Sequence, residues 1–532
     1  MATLEIELSS EFLILIIFLI VTFSINLYIT LVSPIAFGDE GFHTHLARWI
    51  SVHKEIPEFL PLYGTLIHRE GFARPPLWNI LEGFFYLFGF NETIVKILVP
   101  FITLLSGLSI YSLFKRVLNE RTSLIAALIY VSLPCIVTYS VLFYVDMLVN
   151  FWIILSLGSF CLWEKFKDKK YLLLSSLFTG LAILTKTTGY FLLLFYFFYF
   201  TFRVLSEKKF EILKDFGLVI SLLFLTLSGW MIRNYFFFST PLTNLPFNVL
   251  QGKTIIKPDY TPIHEFEGRI AEIATEATVF KIGLVEYFDF AYGFLWFFPL
   301  LLFPSLLYLL LRKEKFDKLI LLMLIAALPG IYIFISARAE DVARYNLYSV
   351  PILVLIVSIY LEKILDWSKR YSKYLPLFLI FCIAIISFLN FLGKANMMIR
   401  VKQFSPLFLE ACNWIKQNLP LNASLLSLHT HPTVYNCERK AIWELVDLPD
   451  ILLSNDINLT LNRLKANGID YIFVQKFSLS GGKYRQTYPI TFVQFLENNS
   501  EYFEKVYENG PNLAQCLAMG GCDGTILYKV NY

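Results

Sequence analysis

About eleven long apolar runs constrain this chain more than any other feature, near residues 12–32, 94–114, 122–142, 147–163, 171–185, 190–204, 216–235, 293–311, 319–336, 346–362 and 375–393. A helix needs roughly 20 such residues to cross a bilayer, and only a helix or a closed barrel satisfies its backbone polar groups in hydrocarbon. Composition agrees: 56% of the 532 residues are hydrophobic, 52 are phenylalanine, and only 16% are charged. Soluble domains are nearer a quarter charged. The expected fold is a polytopic α-helical membrane protein. The first run has no small-residue cleavage site after it and reads as a retained anchor. A net charge of +3 is too small to suggest nucleic acid as a partner.

Lysine and arginine in the short loops set the orientation. With the N-terminus taken as cytoplasmic, five loops face inward and all are basic, for example Lys165, Lys167, Lys169 and Lys170, or Arg312, Lys313, Lys315 and Lys318. The outward segments, about 33–91, 236–290 and everything after 395, are long and mixed in charge. Four N-x-S/T sequons, at Asn91, Asn422, Asn458 and Asn498, fall on that side, although such short motifs arise often by chance. The expected location is the plasma membrane, with the C-terminal region outside.

Two domains are expected: residues 1–395 in the membrane, and 396–532 as a small extracytoplasmic α/β domain. In the second, strand-like runs at 423–428 and 471–474 alternate with helical stretches at 406–418 and 459–467. Its four cysteines, Cys412, Cys437, Cys516 and Cys522, suit two disulfides in an oxidising compartment, and Cys516 with Cys522 closes a short glycine-containing loop. Cys135, Cys161 and Cys382 lie in apolar runs and read as buried thiols. His429 and His431 sit at a strand end and read as turn residues rather than metal ligands.

Ionisable groups at membrane depth are costly and mark function. Here they collect at one level, the outer edge: Asp39, Glu40, Arg74, Asp146, Lys186, Arg233, Glu286, Asp289, Arg338, Glu340, Asp341 and Arg344. A transporter places polar sites near the midplane, whereas an interfacial enzyme places them where a lipid headgroup lies. The pattern favours an enzyme, with a transporter or flippase of lipid-linked sugars, or a membrane-anchored binding protein, as alternatives. Carboxylates at Asp39, Glu40 and Asp146 suit a general base or an acceptor site, and cations at Arg74, Lys186 and Arg344 suit a phosphate.

Two motifs stand out. Phe37-Gly38-Asp39-Glu40-Gly41-Phe42-His43 leads into a helix that places Phe42, Leu46, Trp49 and Ile50 on one face, as in a helix lying in the interface. The structural alternative is that Asp39 merely caps this helix. Glu40 and His43 have the i, i+3 spacing a divalent metal can use, so a divalent metal stays open, although no standard metal signature is present and no cofactor is certain. Ala73-Arg74-Pro75-Pro76-Leu77-Trp78 sets a cation before a rigid diproline, which restrains it. Asp146 and Lys186 have plainer readings as a helix cap and a snorkelling lysine.

An Asp-Glu pair after the first span, followed by cation-Pro-Pro-Leu-aromatic, resembles the lipid-A aminoarabinose transferases and protein O-mannosyltransferases of the C-type glycosyltransferase superfamily. The likeness covers about residues 10–395. It implies that Asp39 is the catalytic base with Glu40 beside it, and that Arg74 contacts the phosphate of a polyprenyl- or dolichyl-phosphate sugar. Tyr144-Val145-Asp146-Met147-Leu148 resembles the family's acidic motif opening the fourth span. Leu184-Thr185-Lys186-Thr187-Thr188-Gly189 resembles its Lys-Gly turn, with Thr187 in place of glycine, and Arg344-Tyr345 resembles the Arg-Tyr entry to a late span. Lys186 and Arg344, as cations at the same level, are expected as further phosphate ligands, and Asp146 and His43 as residues shaping the acceptor side. Lysine commonly stands where this chain has Arg74. The Trp-Trp-Asp signature of oligosaccharyltransferases is absent, which disfavours en bloc transfer of a glycan to asparagine. Protein, lipid and glycan acceptors all stay open.

Overall fold

The computed structural model describes residues 10–35, 38–57, 60, 62, 74–238, 297–312, 314–337, 342–402, 406–427, 429–442, 451, 455–476, 479–480, 488–518 and 522–532. Its helices follow the apolar runs. In chain order they are α1 (Ser10–Val32), α2 (Glu40–His53), α3 (Leu77–Leu87), α4 (Glu92–Lys96), α5 (Leu98–Phe114), α6 (Glu120–Ser132), α7 (Pro134–Tyr139), α8 (Asp146–Phe166), α9 (Lys169–Thr185) and α10 (Phe191–Glu207). Then come α11 (Ile212–Phe238), α12 (Phe297–Arg312), α13 (Lys315–Ala337), α14 (Val342–Tyr345), α15 (Val350–Ser368) and α16 (Leu375–Lys402).

Seven stretches among the described residues are long and apolar enough to cross a bilayer, and this is a multi-pass membrane protein. The difference from about eleven runs has local causes. The run 122–142 is two helices, α6 and α7, because Pro134 cannot continue α6 and pushes Leu133 to an extended ψ of 135°. Asn390 of α16 donates its side-chain N–H to the Ser132 carbonyl (2.7 Å), satisfying a backbone group freed by that break. Helix α9 has 17 residues, and part of the run 293–311 lies outside the described residues.

Helix α6 is the bundle's centre, with Leu124 through Leu128 wholly buried. Helices such as α1 and α11 instead present Leu13, Ile17, Phe224, Leu225 and Phe236 outward, as a lipid-facing surface requires. A polar knot joins α8, α9 and α10: the Ser156 and Thr179 hydroxyls are 2.8 Å apart, and the Tyr196 hydroxyl lies 2.7 Å from Ser175 and 2.9 Å from Thr179. Such bonds act as glue where no hydrophobic effect drives helices together. They fix the helices that carry Asp146 and Lys186. Asp146 begins the 21-residue α8, so Glu164 lies near its other end, about 27 Å away at 1.5 Å per residue. There Glu164 pairs with Lys167 (2.7 Å) and Lys315 (2.8 Å) from the basic loops. Asp146 and those loops are therefore at opposite ends of the bundle.

Beyond α16 come α17 (Pro406–Asn418), β1 (Ser424–Ser427), α18 (Thr430–Cys437), β2 (Lys440–Ile442), α19 (Ile457–Ala466), β3 (Tyr471–Gln475), β4 (Leu479–Ser480), β5 (Tyr488–Pro489), α20 (Ile490–Asn498), β6 (Phe503–Asn509), α21 (Leu513–Ala518) and β7 (Thr525–Val530). Five strands form one sheet in the order β2-β1-β3-β7-β6, parallel through β2, β1 and β3 and antiparallel through β7 and β6. Successive residues point to opposite faces. Leu426 and Ile472 enter a core with Phe492 and Leu496, while Leu425 and Phe473 enter another with Phe408 and Ile415. The second core also contains Phe42 and Leu46 of α2. The cysteines pair as Cys412–Cys437 and Cys516–Cys522.

Candidate active site

The site begins at Gly38, where φ is +44°. A side chain there would be strained by the backbone angle, and a Cβ would also collide with the Tyr144 hydroxyl. The turn brings the Asp39 N–H to that hydroxyl, to which it donates at 3.3 Å. We predict that Gly38→Ala destabilises the protein by about 1–3 kcal/mol and displaces Tyr144, read as earlier thermal unfolding in detergent. An unchanged midpoint would show that the turn tolerates a side chain.

Asp39 occupies the position before α2, but its side chain makes no capping hydrogen bond. The carboxylate is instead 2.8 Å from Nη2 of Arg344. Asp146 likewise opens α8, yet its carboxylate accepts from Lys186 Nζ at 2.5 Å and from Arg344 Nε at 3.1 Å. Arg344 thus spans two aspartates that are 107 positions apart in the chain. Side-chain exposures are 1% for Asp146, 10% for Arg344, 12% for Lys186 and 26% for Asp39. The pairs are largely removed from water, and Asp39 is the most exposed of the four side chains.

Two tyrosines support the cations. The Arg344 guanidinium lies 4.2 Å from the centre of the Tyr144 ring, and Lys186 Nζ lies 4.8 Å from that of Tyr345. The two tyrosines belong to the acidic and Arg-Tyr motifs, but no residue pattern marks a ring as a cation platform. Arg74, exposed just before the diproline, is near enough for its charge to act on Asp39, His43 and His431. Burial would raise the Asp39 pKa, but Arg344, His431 and Arg74 outweigh it and hold the carboxyl well below the usual range.

Glu40 and His43 serve other partners. Glu40 is fully buried and accepts from the Phe143 backbone N–H at 2.8 Å, tying α2 to the turn before Asp146. His43 Nδ1 lies 2.8 Å from Asn79 Oδ1 on α3, and burial lowers its pKa to about 4, so it is neutral at neutral pH. Their engagements do not fit a metal shared at i, i+3, and among the described residues no three His, Cys, Asp or Glu side chains are placed to hold one. Arg344 and Lys186 already supply the positive charge that Asp39 and Asp146 require. Arg233 holds the loop after α2 through the Ile56 and Pro57 carbonyls, at 3.2 and 3.1 Å. Glu286, Asp289, Arg338, Glu340 and Asp341 lie outside the described residues.

His431 is the residue least expected here. It belongs to α18 of the C-terminal domain, yet its Nε2 is 3.8 Å from Asp39 Oδ1. In the sequence His429 and His431 read as turn residues at a strand end, with no sign of this, and the structure places His431 in the helix α18 instead.

Comparison with known proteins bears on this arrangement. A family model described as dolichyl-phosphate-mannose-protein mannosyltransferase matches residues 73–230, which include Arg74, Asp146 and Lys186. No curated protein matches in sequence. The solved oligosaccharyltransferase of Archaeoglobus fulgidus, in complex with zinc and sulfate, superposes with a TM-score of 0.64 at 15% identity, covering 93% of this chain and 72% of that one. ArnT from Cupriavidus metallidurans bound to undecaprenyl phosphate gives 0.57 at 11% identity, covering 96% and 97%. This chain has the C-type glycosyltransferase fold. The mycobacterial arabinofuranosyltransferase AftD extends the likeness, with a TM-score of 0.50 at 12% identity over 97% of this chain and 40% of that one. The C-type resemblance read from the Asp-Glu and Arg-Pro-Pro motifs is borne out.

Proposed function

We propose that this C-type protein transfers a sugar from a polyprenyl- or dolichyl-phosphate donor to an acceptor hydroxyl, with inversion at the anomeric carbon. The observation that carries the reading is the convergence of Asp39, Asp146, Lys186 and Arg344, from four separate chain segments, at one end of the bundle. A base and fixed positive charge at an interface are what this chemistry needs.

In the proposed step the acceptor oxygen attacks the anomeric carbon while its proton passes to Asp39. The bond from that carbon to the phosphate oxygen breaks, and its electron pair leaves on the polyprenyl phosphate. Arg74, with Lys186 and Arg344, stabilises the leaving phosphate. Arg344 has a second part. Paired to Asp39 it keeps the carboxyl a weak base, and an efficient base has a pKa nearer the working pH. A donor phosphate drawing the guanidinium toward itself restores Asp39's basicity when the donor is in place. Asp146 and Tyr144 hold Arg344, and Glu40 and His43 support the acceptor side through their bonds to the Phe143 backbone and Asn79.

The end bearing the site lies away from the basic loops, which on the positive-inside rule makes it the outer face. The plasma membrane, with the C-terminal domain outside, is the proposed location, and a lipid-borne donor reaches that face without a nucleotide-sugar domain. Protein, lipid and glycan acceptors are all compatible with it. The deciding experiment incubates purified full-length protein with a panel of polyprenyl-phosphate sugars and hydroxyl acceptors, and follows sugar by mass spectrometry. Formation of polyprenyl phosphate with a new glycosidic bond is expected. Movement of the lipid-linked sugar across a vesicle membrane without bond exchange would replace the transferase by a flippase.

A further inference from the structure

The C-terminal domain is joined to the membrane domain at the site itself. Helix α18 lies against α2 so closely that a Cβ on Gly41 would come within 2.8 Å of both the His431 carbonyl oxygen and the Tyr435 Cβ. The His431 ring centre is 5.4 Å from that of Phe42, and Asn436 donates to the Ile35 carbonyl at 3.2 Å. The Tyr435 hydroxyl donates to Glu92, which also pairs with Arg48 at 2.9 Å. Beneath these contacts Phe42 and Leu46 share one hydrophobic core with Phe408, Phe473 and other residues of the C-terminal domain.

Helix α18 is also fixed from within its own domain. The Thr430 hydroxyl donates to the Ser427 carbonyl at 3.0 Å, the Thr433 and Ser427 hydroxyls are 2.8 Å apart, and Cys437 is bonded to Cys412 of α17. His431 is therefore held where it stands, 3.8 Å from Asp39 Oδ1. That separation is too long for a hydrogen bond, but one oxygen placed about 2.8 Å from each fits between them. Burial lowers the imidazole pKa below its usual value against the pull of Asp39.

We propose that His431 is a positioning residue of the transfer site, its Nε2–H donating to the acceptor hydroxyl oxygen whose proton Asp39 takes, so that the C-terminal domain orients the acceptor. The oxygen then has its four directions used: its own carbon, the proton toward Asp39, the bond from His431, and a lone pair for the anomeric carbon. This inference rests on the transferase reading above.

The test is steady-state kinetics on the full-length protein, with the polyprenyl-phosphate sugar and hydroxyl acceptor that the wild type turns over. His431→Ala raises the acceptor KM about tenfold, the scale of one hydrogen bond, and leaves the donor KM unchanged. His431→Gln, which keeps a side-chain N–H donor, recovers most of the loss. Tyr435→Phe weakens the same interface away from Asp39 and lowers thermal stability without moving the acceptor KM. An unchanged acceptor KM in His431→Ala, or an equal rise in Tyr435→Phe, overturns the positioning role and leaves the transferase reading standing. Wild-type protein that turns over no donor in the panel removes both.

Discussion

Replacing Asp39 by asparagine is expected to lower turnover by about 10²–10⁴-fold, the range attributed to a positioned general base, with membrane insertion and yield retained. Asparagine preserves the size of the side chain and a hydrogen-bond acceptor toward Arg344, so the turn held by the Asp39 N–H and the Tyr144 hydroxyl stays formed. It removes only the group that takes the proton. A second readout follows from the charge around the carboxylate. With its pKa held well below the usual carboxylate range, mainly by Arg344 against the opposing effect of burial, Asp39 is ionised in the free protein down to acidic pH. Its protonation then leaves no acid limb in kcat/KM near pH 4, where an ordinary aspartate would impose one. Near-normal turnover of the Asp39→Asn protein, measured as polyprenyl phosphate released, would remove Asp39 from the base role.

Arg344→Gln is expected to have the second large effect, on stability as well as on activity. Arg344 bonds Asp39 through Nη2 and Asp146 through Nε, and Asp146 is almost entirely buried. Removing the shared cation leaves the Asp39 carboxylate without its 2.8 Å partner and, among the described residues, Asp146 with Lys186 alone as its ion-pair partner. Breaking a buried pair in this way costs about 3–5 kcal/mol. Arg344→Lys is expected to rescue little, because a single ammonium cannot offer two donors in the fork that meets two carboxylates. The measurement is thermal unfolding of Arg344→Gln, Asp146→Asn and the double substitution. The double substitution should cost less than the two single losses together, since each removes the other's partner. Strict additivity would mean that the two residues are not coupled. In any Arg344→Gln protein that still turns over, the missing acid limb should reappear as Asp39 loses its main opposing charge.

The membrane fold was written in the linear chain. Hydrophobic run length, charge scarcity and basic loops depend only on composition within a window, and a bilayer selects helices from such windows. The same local logic located helix 406–418 and the strands at 424–427 and 471–475. The break at Pro134 was also local, but it lies inside one continuous apolar run and a window average passes over it. Asp39, Asp146, Lys186 and Arg344 could each be named in advance because a charge at the membrane edge is costly wherever it falls.

Their partnerships could not be named, because an ion pair belongs to two positions at once and nothing at either end records the distance between them. Only tertiary packing decided that Asp39 and Asp146 answer Arg344 rather than cap their helices, and that Glu40 turns to the Phe143 backbone. Packing of α18 on α2 likewise carried His431 to Asp39 across nearly four hundred residues. What a residue costs to bury is a property of its own chemistry, and the sequence states it. Which neighbour offsets that cost is a property of the folded contacts, and those exist only once the helices and the C-terminal sheet have assembled.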